Sequence, residues 1–332
     1  MTSAEGYKVF DSKSSLGKLL FLTVMAIALC SFTPLTFLAP VPIAIAFLLY
    51  GRLTAVGMGA VSLGIIWIVT TYLKVPTFVG VLYIMSFLYA LLISEVIYRD
   101  VNPSRGLLAS GAGLFAVSMA TLGLLNFSKP MMVRQELTTM VTKSFEELKE
   151  QNKTALNSGT EEAREMKMLL DNPEKAVADL YNNTPAIIFV GVFLGIWLSF
   201  FVTLRNARIW RYKVYYQFGL KDLLQFKVPE YLVWLLIVGL GLFLGADYGL
   251  GSMAEVAGTN LLGCLAILYF FQGFGIYNDF LSFIRTGGIL RIILTTFTVL
   301  FAWKMLVVIG VFDLWFNFRK FFKKQNGEGD KI

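Results

Sequence analysis

The 332-residue chain is 56% hydrophobic and 15% charged, with a formal net charge of +7 and a mean hydropathy of +0.67. Soluble domains are about one-quarter charged, so this composition excludes a soluble globular protein. The chain holds no histidine, which removes the commonest general base and metal ligand. No cofactor or metal is therefore expected.

The first apolar stretches, residues 16–33 and 38–50, form a close pair broken by Pro34, Pro40 and Pro42. The first follows lysines and mimics a secretory signal, but Leu29 stands before Cys30 where a lipoprotein site needs a small residue. It reads as an uncleaved span. Apolar stretches follow at 53–73, 77–98 and 106–127, then 185–204, 230–247, 256–276 and 288–312. A spanning helix needs about 20 apolar residues. The fold class is all-α: a polytopic transmembrane helix bundle of about 8–10 spans with a short second helix. The chain divides into an N-terminal membrane bundle (1–127), an extramembrane helical insert (128–183), a C-terminal membrane bundle (184–318) and a basic tail (319–332). Cys30 and Cys264 lie in apolar spans and read as small hydrophobes.

The loop from Arg205 to Lys227 carries Arg205, Arg208, Arg211, Lys213, Lys221 and Lys227 against the single acid Asp222. Short basic loops stay cytoplasmic, and the lysines at 8, 13 and 18 put the N-terminus on the same side. An even number of crossings between them requires residues 38–50 to cross as well. As a helix that piece covers only about 20 Å, so extended backbone beside the prolines has to supply the remainder and be covered by neighbouring helices. The scheme leaves Arg52, Arg99 and Arg105 inside. Localisation in a bacterial cytoplasmic (inner) membrane is expected. The positive charge then reads as cytoplasmic loops facing anionic lipid rather than as a nucleic-acid surface.

The last apolar run leaves two alternatives. A single crossing by 288–312 carries Lys304 through the apolar zone and leaves the basic tail outside. A hairpin turning near Trp303–Lys304 keeps the tail inside.

The insert, residues 128–183, has ten acids and eight bases. Val133, Leu137, Val141, Phe145 and Leu148 recur at helical spacing. Ser158 and Glu161 make a capping box for a second helix, and Pro173 starts a third. The insert reads as a helical hairpin, either a solvated connector or a lid or docking surface.

Several residues stand out as candidate sites. Gly57, Gly59 and Gly64 give the third span a small-residue face, and Gly191–Gly195 and Gly241–Gly245 are G-x-x-x-G pairs. Helix packing is the first reading, and a face for a separate subunit is the alternative. Intramembrane polar candidates are Glu95, four residues before Arg99 on one helix face, then Gln272, Asn278, Asp279 and Lys304. Arg285 and Arg291 are partner candidates for Asp279. At the outer side the scheme gathers Trp67, Thr71, Tyr83, Asn126, Asp247, Glu255 and Asn260 as a small-molecule pocket, although an aromatic belt alone explains Trp67 and Tyr83. Trp315, Phe316, Phe318, Arg319, Phe321 and Phe322 suit an interfacial anchor.

"TPAIIFVGVFLGIWLSFFVTLRNARI" (184–209), "LLQFKVPEYLVWLLIVGLGLFL" (223–244), "YFFQGFGIYNDFL" (269–281) and "GVFDLWFNFRK" (310–320), in this order, resemble segments of the YybS-like family of uncharacterised bacterial multi-pass membrane proteins. "PVPIAIAFLLYGRLTAVGMGAVSLG" (40–64) is similar to the second and third helices of substrate-capture subunits of energy-coupling-factor transporters. That likeness implies six crossings with a short second helix.

Two functional readings follow. One is a substrate-capturing or transport-related membrane subunit with an unknown small-molecule ligand, docking another membrane or cytoplasmic subunit. The other is a membrane scaffold or assembly factor acting through the insert and the basic loops. An enzyme is not expected: there is no histidine, and no paired carboxylates stand at a midplane.

Overall fold

The computed structural model describes residues 12–72, 78–128, 132–153 and 160–324. Ser158 and Lys8 lie outside them. In chain order the helices are α1 (Ser12–Ser31), α2 (Pro40–Tyr50), α3 (Arg52–Tyr72), α4 (Phe78–Tyr98), α5 (Pro103–Ser128), α6 (Met132–Gln151), α7 (Glu161–Leu170), α8 (Pro173–Asn182), α9 (Thr184–Arg205), α10 (Leu220–Leu224), α11 (Leu232–Gly245), α12 (Ser252–Phe283), α13 (Gly288–Phe301), α14 (Trp303–Phe316) and α15 (Arg319–Lys324). No strand occurs among the described residues. Among the described residues, five helices are long and apolar enough to cross a membrane: α3, α4, α5, α9 and α12. Leu16–Ser31, Leu35–Tyr50 and Leu232–Tyr248 are shorter apolar segments, and α13 with α14 forms a bent pair. The protein is an all-α polytopic helix bundle.

Two compact units share the chain: residues 1–110 with 193–227, and 111–192 with 228–332. In the first, α2 is the core. Nine of its eleven residues are buried. Prolines at its start cost nothing, because the first turn has no intrahelical acceptor for those N–H groups. Gly51 ends it with φ 85°, and its N–H donates to the Phe47 carbonyl. At 11 residues it covers about 16 Å, and a 3₁₀ turn over Thr33–Leu38 precedes it. The Ser199 hydroxyl donates to the Phe37 carbonyl at 3.0 Å, satisfying backbone that has no helical partner.

The basic loop of this unit is folded, not slack. Trp210 is fully buried and its indole N–H donates to the Thr203 carbonyl at 3.1 Å. The Tyr216 hydroxyl donates to the Val101 carbonyl at 2.9 Å. The Gln217 N–H donates to the Asp100 carboxylate at 3.1 Å, and the Ser104 hydroxyl donates to the Asp222 carbonyl at 3.2 Å. Asp100 takes φ 50°, a left-handed conformation that aspartate tolerates better than most residues. These bonds tie the loop to the turn between α4 and α5. Its cations Arg205, Arg208, Arg211, Lys213, Lys221 and Lys227 are all exposed.

In the second unit the insert has its own small core. Val141, Leu170 and Val177 are buried, and Lys149 pairs with Asp171 at 2.7 Å. Downstream, α11 and α12 are antiparallel. A Cβ on Gly258 would stand 2.6 Å from the Phe243 nitrogen and 2.9 Å from the Gly239 oxygen, so only glycine permits this crossing. The final run breaks at Ala302, where α13 and α14 meet at 90°. Trp303 and Lys304 open α14. Contacts of α12 with α14 and then α15 advance together along the chain, from Tyr269 with Gly310 through Gln272 with Asp313 to Asp279 with Arg319 and Phe283 with Phe322. The helices α12 and α14 therefore run parallel, and α15 lies at the same end of α12 as Arg285. The helix α13 exposes Ile289, Ile292, Ile293, Phe297 and Phe301.

Candidate functional site

The most demanding chemistry in the second unit follows from one close crossing. A Cβ on Gly273 would collide with the Leu306 carbonyl, and one on Gly310 with the Tyr269 carbonyl. Backbone-to-backbone contact of this kind brings α12 and α14 near enough for short polar side chains to meet. Gln272 is 1% exposed and Asp313 4% exposed. The Gln272 carboxamide donates to Asp313 Oδ2 at 3.0 Å and accepts from the Val228 N–H at 2.7 Å. The other Asp313 oxygen accepts the Phe318 N–H at 2.8 Å. Asn317, with φ 46°, turns the chain so that this amide faces the carboxylate.

Arg319 then folds back into the cluster. It is buried and stands 3.7 Å from Asp279 Oδ2. Burial works against its charge, while Asp279 and Asp313 favour it. A buried charge is tolerable only with such compensation. The arrangement joins the entry to α11, the middle of α12 and the end of α14 in one network. Each oxygen of its carboxylate accepts one hydrogen bond, from the Gln272 carboxamide and from the Phe318 N–H, so the group ties three segments of chain together. Arg291 does not meet Asp279: it donates to the Asn278 side chain at 2.6 Å and to the Ser282 hydroxyl at 3.0 Å.

The first unit carries a second polar site. Glu95 meets Arg99 at 3.2 Å, and also Arg52 at 2.6 Å, which sequence spacing does not reveal. The Arg52 fork is bidentate, with its second nitrogen 3.0 Å from the other carboxylate oxygen. Its guanidinium lies 4.9 Å over the Tyr98 ring, and the Tyr98 hydroxyl donates to the Phe47 carbonyl. An open cleft of about 470 Å³ lies here, lined by Tyr50, Gly51, Arg52, Leu53, Thr54 and Tyr98.

The residues expected to line an outer pocket divide between the units: Trp67, Thr71 and Tyr83 in the first, Asn126, Asp247, Glu255 and Asn260 in the second. Trp67 is 70% exposed and Tyr83 is fully buried. The Thr71 hydroxyl donates to the Trp67 carbonyl at 2.8 Å. Asn126, Asp247 and Glu255 are exposed. Asn260 accepts the Ala186 N–H at 2.9 Å and donates to the Asn182 and Val256 carbonyls at 2.8 Å, so it fastens the junction of α8 and α9. Lys304 is exposed, with its ammonium 5.9 Å from the Trp303 ring centroid.

The glycines behave unequally. A Cβ on Gly59 would strike Phe87, one on Gly195 Tyr89 and one on Gly245 Leu250. At Gly57, Gly64, Gly191 and Gly241 it would meet nothing within 4 Å. Sequence reasoning did not single out Asp313, Gly273, Gly310 or Arg52. An acid inside the apolar run "GVFDLWF" was the available signal for Asp313. Of the terminal aromatics, Trp315, Phe316 and Phe321 are exposed, while Phe322 packs on Phe280 and Phe283 at 5.9 and 5.6 Å between ring centroids.

Fold and clusters define a helical multi-pass membrane protein. The family model described as "Predicted membrane protein (DUF2232)" matches residues 18–314, and the chain belongs to that family. Among curated proteins and among solved structures, no match is found.

Proposed function

We propose that the chain is a non-enzymatic subunit of a small-molecule-binding, transport-related assembly in a bacterial cytoplasmic membrane, with its N-terminus inside. The observation that carries this reading is the short second helix. An 11-residue apolar helix, buried at nine positions and entered through a 3₁₀ turn, is what the likeness to energy-coupling-factor capture subunits implies. The YybS-like resemblance belongs to the same proposal. With the basic loop cytoplasmic, α12 returns to the cytoplasmic face, and α14, running in its sense, brings the tail there too. This orientation removes the charge anomaly of an external basic tail.

Purification in detergent, with mass spectrometry of co-purifying small molecules and proteins, tests the reading. A vitamin-sized ligand or an ATPase partner is the expected result. A soluble envelope protein alone would instead favour a scaffold working through the insert, a reading supported by the insert's own buried core. A C-terminal reporter fusion is expected to signal from the cytoplasm.

A further inference from the structure

We infer that the cleft at the junction of α2 and α3 is a binding site for an anionic phospholipid, with its phosphate against Arg52 and one acyl chain along α3. Three observations on the first unit carry this. The first is charge. Arg52 and Arg99 share one carboxylate, Glu95, and their side chains are 59% and 74% exposed against 25% for Glu95. The cluster of two guanidiniums and one carboxylate therefore keeps a net positive charge beside the cleft, with Arg52 in the lining and Arg99 behind Glu95, and the bidentate bond to Glu95 with the Tyr98 ring beneath holds the Arg52 guanidinium in one orientation. A positioned guanidinium is the preferred partner of a phosphate.

The second is the lining. Tyr50 and Thr54 bring hydroxyl-bearing side chains to the lining beside Arg52, while Tyr98 contributes the ring beneath the guanidinium, a set suited to phosphate and glycerol oxygens rather than to an apolar guest. The third is what adjoins it. Leu53, itself in the lining, is 91% exposed, and the same face of α3 continues through Gly57 and Val61 to Gly64. Both glycines are open, so this face is a shallow apolar trough beginning where the charge ends. A free phosphate ion uses only the charged part. A phospholipid uses both parts at once, and α3 is long and apolar enough to cross the bilayer that supplies it.

Native mass spectrometry of the full chain in detergent, titrated with phosphatidylglycerol or phosphatidylcholine, tests this. The wild type is expected to retain phosphatidylglycerol in preference. Arg52→Gln is expected to lower that retention about tenfold, the scale of one charge-assisted contact. Gly64→Leu fills the trough without touching the ion pair and is expected to weaken retention as well, which keeps the test decisive should Arg52→Gln misfold. Equal retention of the two lipids by the wild type, or by Gly64→Leu and the wild type, overturns the inference. So does displacement of the lipid by millimolar inorganic phosphate, which identifies a site for the free ion.

Discussion

Two regions rich in glycine face opposite situations. Along α12 and α14, Gly273 and Gly310 are pressed against the backbone of the facing helix, and the contact brings Gln272 onto Asp313. Along α3, a Cβ on Gly57 or Gly64 would meet nothing within 4 Å. Residue type is the same and so is the helical setting. What differs is whether a neighbouring helix is pressed onto the glycine, and in the first case a polar pair spans the same crossing. Gln272 and Asp313 lose each other if the helices separate, so the crossing is held from both directions. No comparable group stands beside Gly57.

The sharpest way to break that contrast is to remove the polar half. Asp313→Ala leaves the Gln272 carboxamide N–H and the Phe318 amide without an acceptor and takes a counter-charge from buried Arg319. Removing one member of a buried charge network typically costs about 3–5 kcal/mol. The expected outcome is a large fall in the denaturation midpoint in detergent, together with release of the C-terminal helix to protease. A midpoint within error of the wild type would show that the cluster holds nothing.

The apolar half gives the next effect. Gly310→Ala places a methyl group against the Tyr269 carbonyl, and a backbone atom cannot rotate aside. Overpacking of this kind costs about 1–3 kcal/mol, and the upper end is expected here. Gly57→Ala in the open region is expected to be neutral, or stabilising by up to about 1 kcal/mol because alanine is the better helix former. Equal effects at the two positions would erase the distinction between the regions.

How much of this was readable beforehand follows the same line. Apolar runs reveal spans because hydrocarbon demands them, so α3, α4, α5 and α9 could be located within a few residues, whereas α12 runs on to Phe283, past the apolar stretch that ends at 276. The break at Ala302 falls beside Trp303–Lys304, the point where the hairpin alternative put its turn. Pairing between helices was not readable. Spacing reveals only neighbours on one helix, which is why Glu95 with Arg99 could be anticipated and Glu95 with Arg52 could not. For the same reason a G-x-x-x-G pattern identifies a face that permits close approach without saying whether a helix takes it up. Arg285 and Arg291 were nearer to Asp279 in sequence than Arg319, yet Arg319 reaches it because the parallel return of α14 delivers the tail there.

A smaller effect is expected at the basic loop. Tyr216→Phe removes the bond to the Val101 carbonyl, worth about 0.5–1.5 kcal/mol. Burial also pushes the Tyr216 hydroxyl above its ordinary range. The folded loop thus prefers the neutral phenol, whereas a released tyrosine ionises at about pH 10. Loop stability is therefore full below about pH 10 and declines as the pH rises beyond it. Limited proteolysis between Arg208 and Lys213 against pH is expected to show this rise in the wild type and not in Tyr216→Phe.

The smallest effect belongs to the insert, where the contrast is with the buried carboxylate of Asp313. Asp171 is exposed, and the hydrogen bond from Lys149 holds its carboxyl below the usual range. Its contribution is present above the unfolded value, about pH 4, and is lost as the pH falls through the lower folded value. Solvent screening keeps an exposed pair weak and sensitive to salt. Hydrogen exchange in α6 and α8 is expected to speed up slightly in Asp171→Asn and in 1 M salt, roughly a 3 Å screening length, while α12 and α14 stay unchanged. A shift reaching α12 would mean that the two carboxylates belong to one cooperative unit, and the separation drawn between an exposed pair and a buried network would fail.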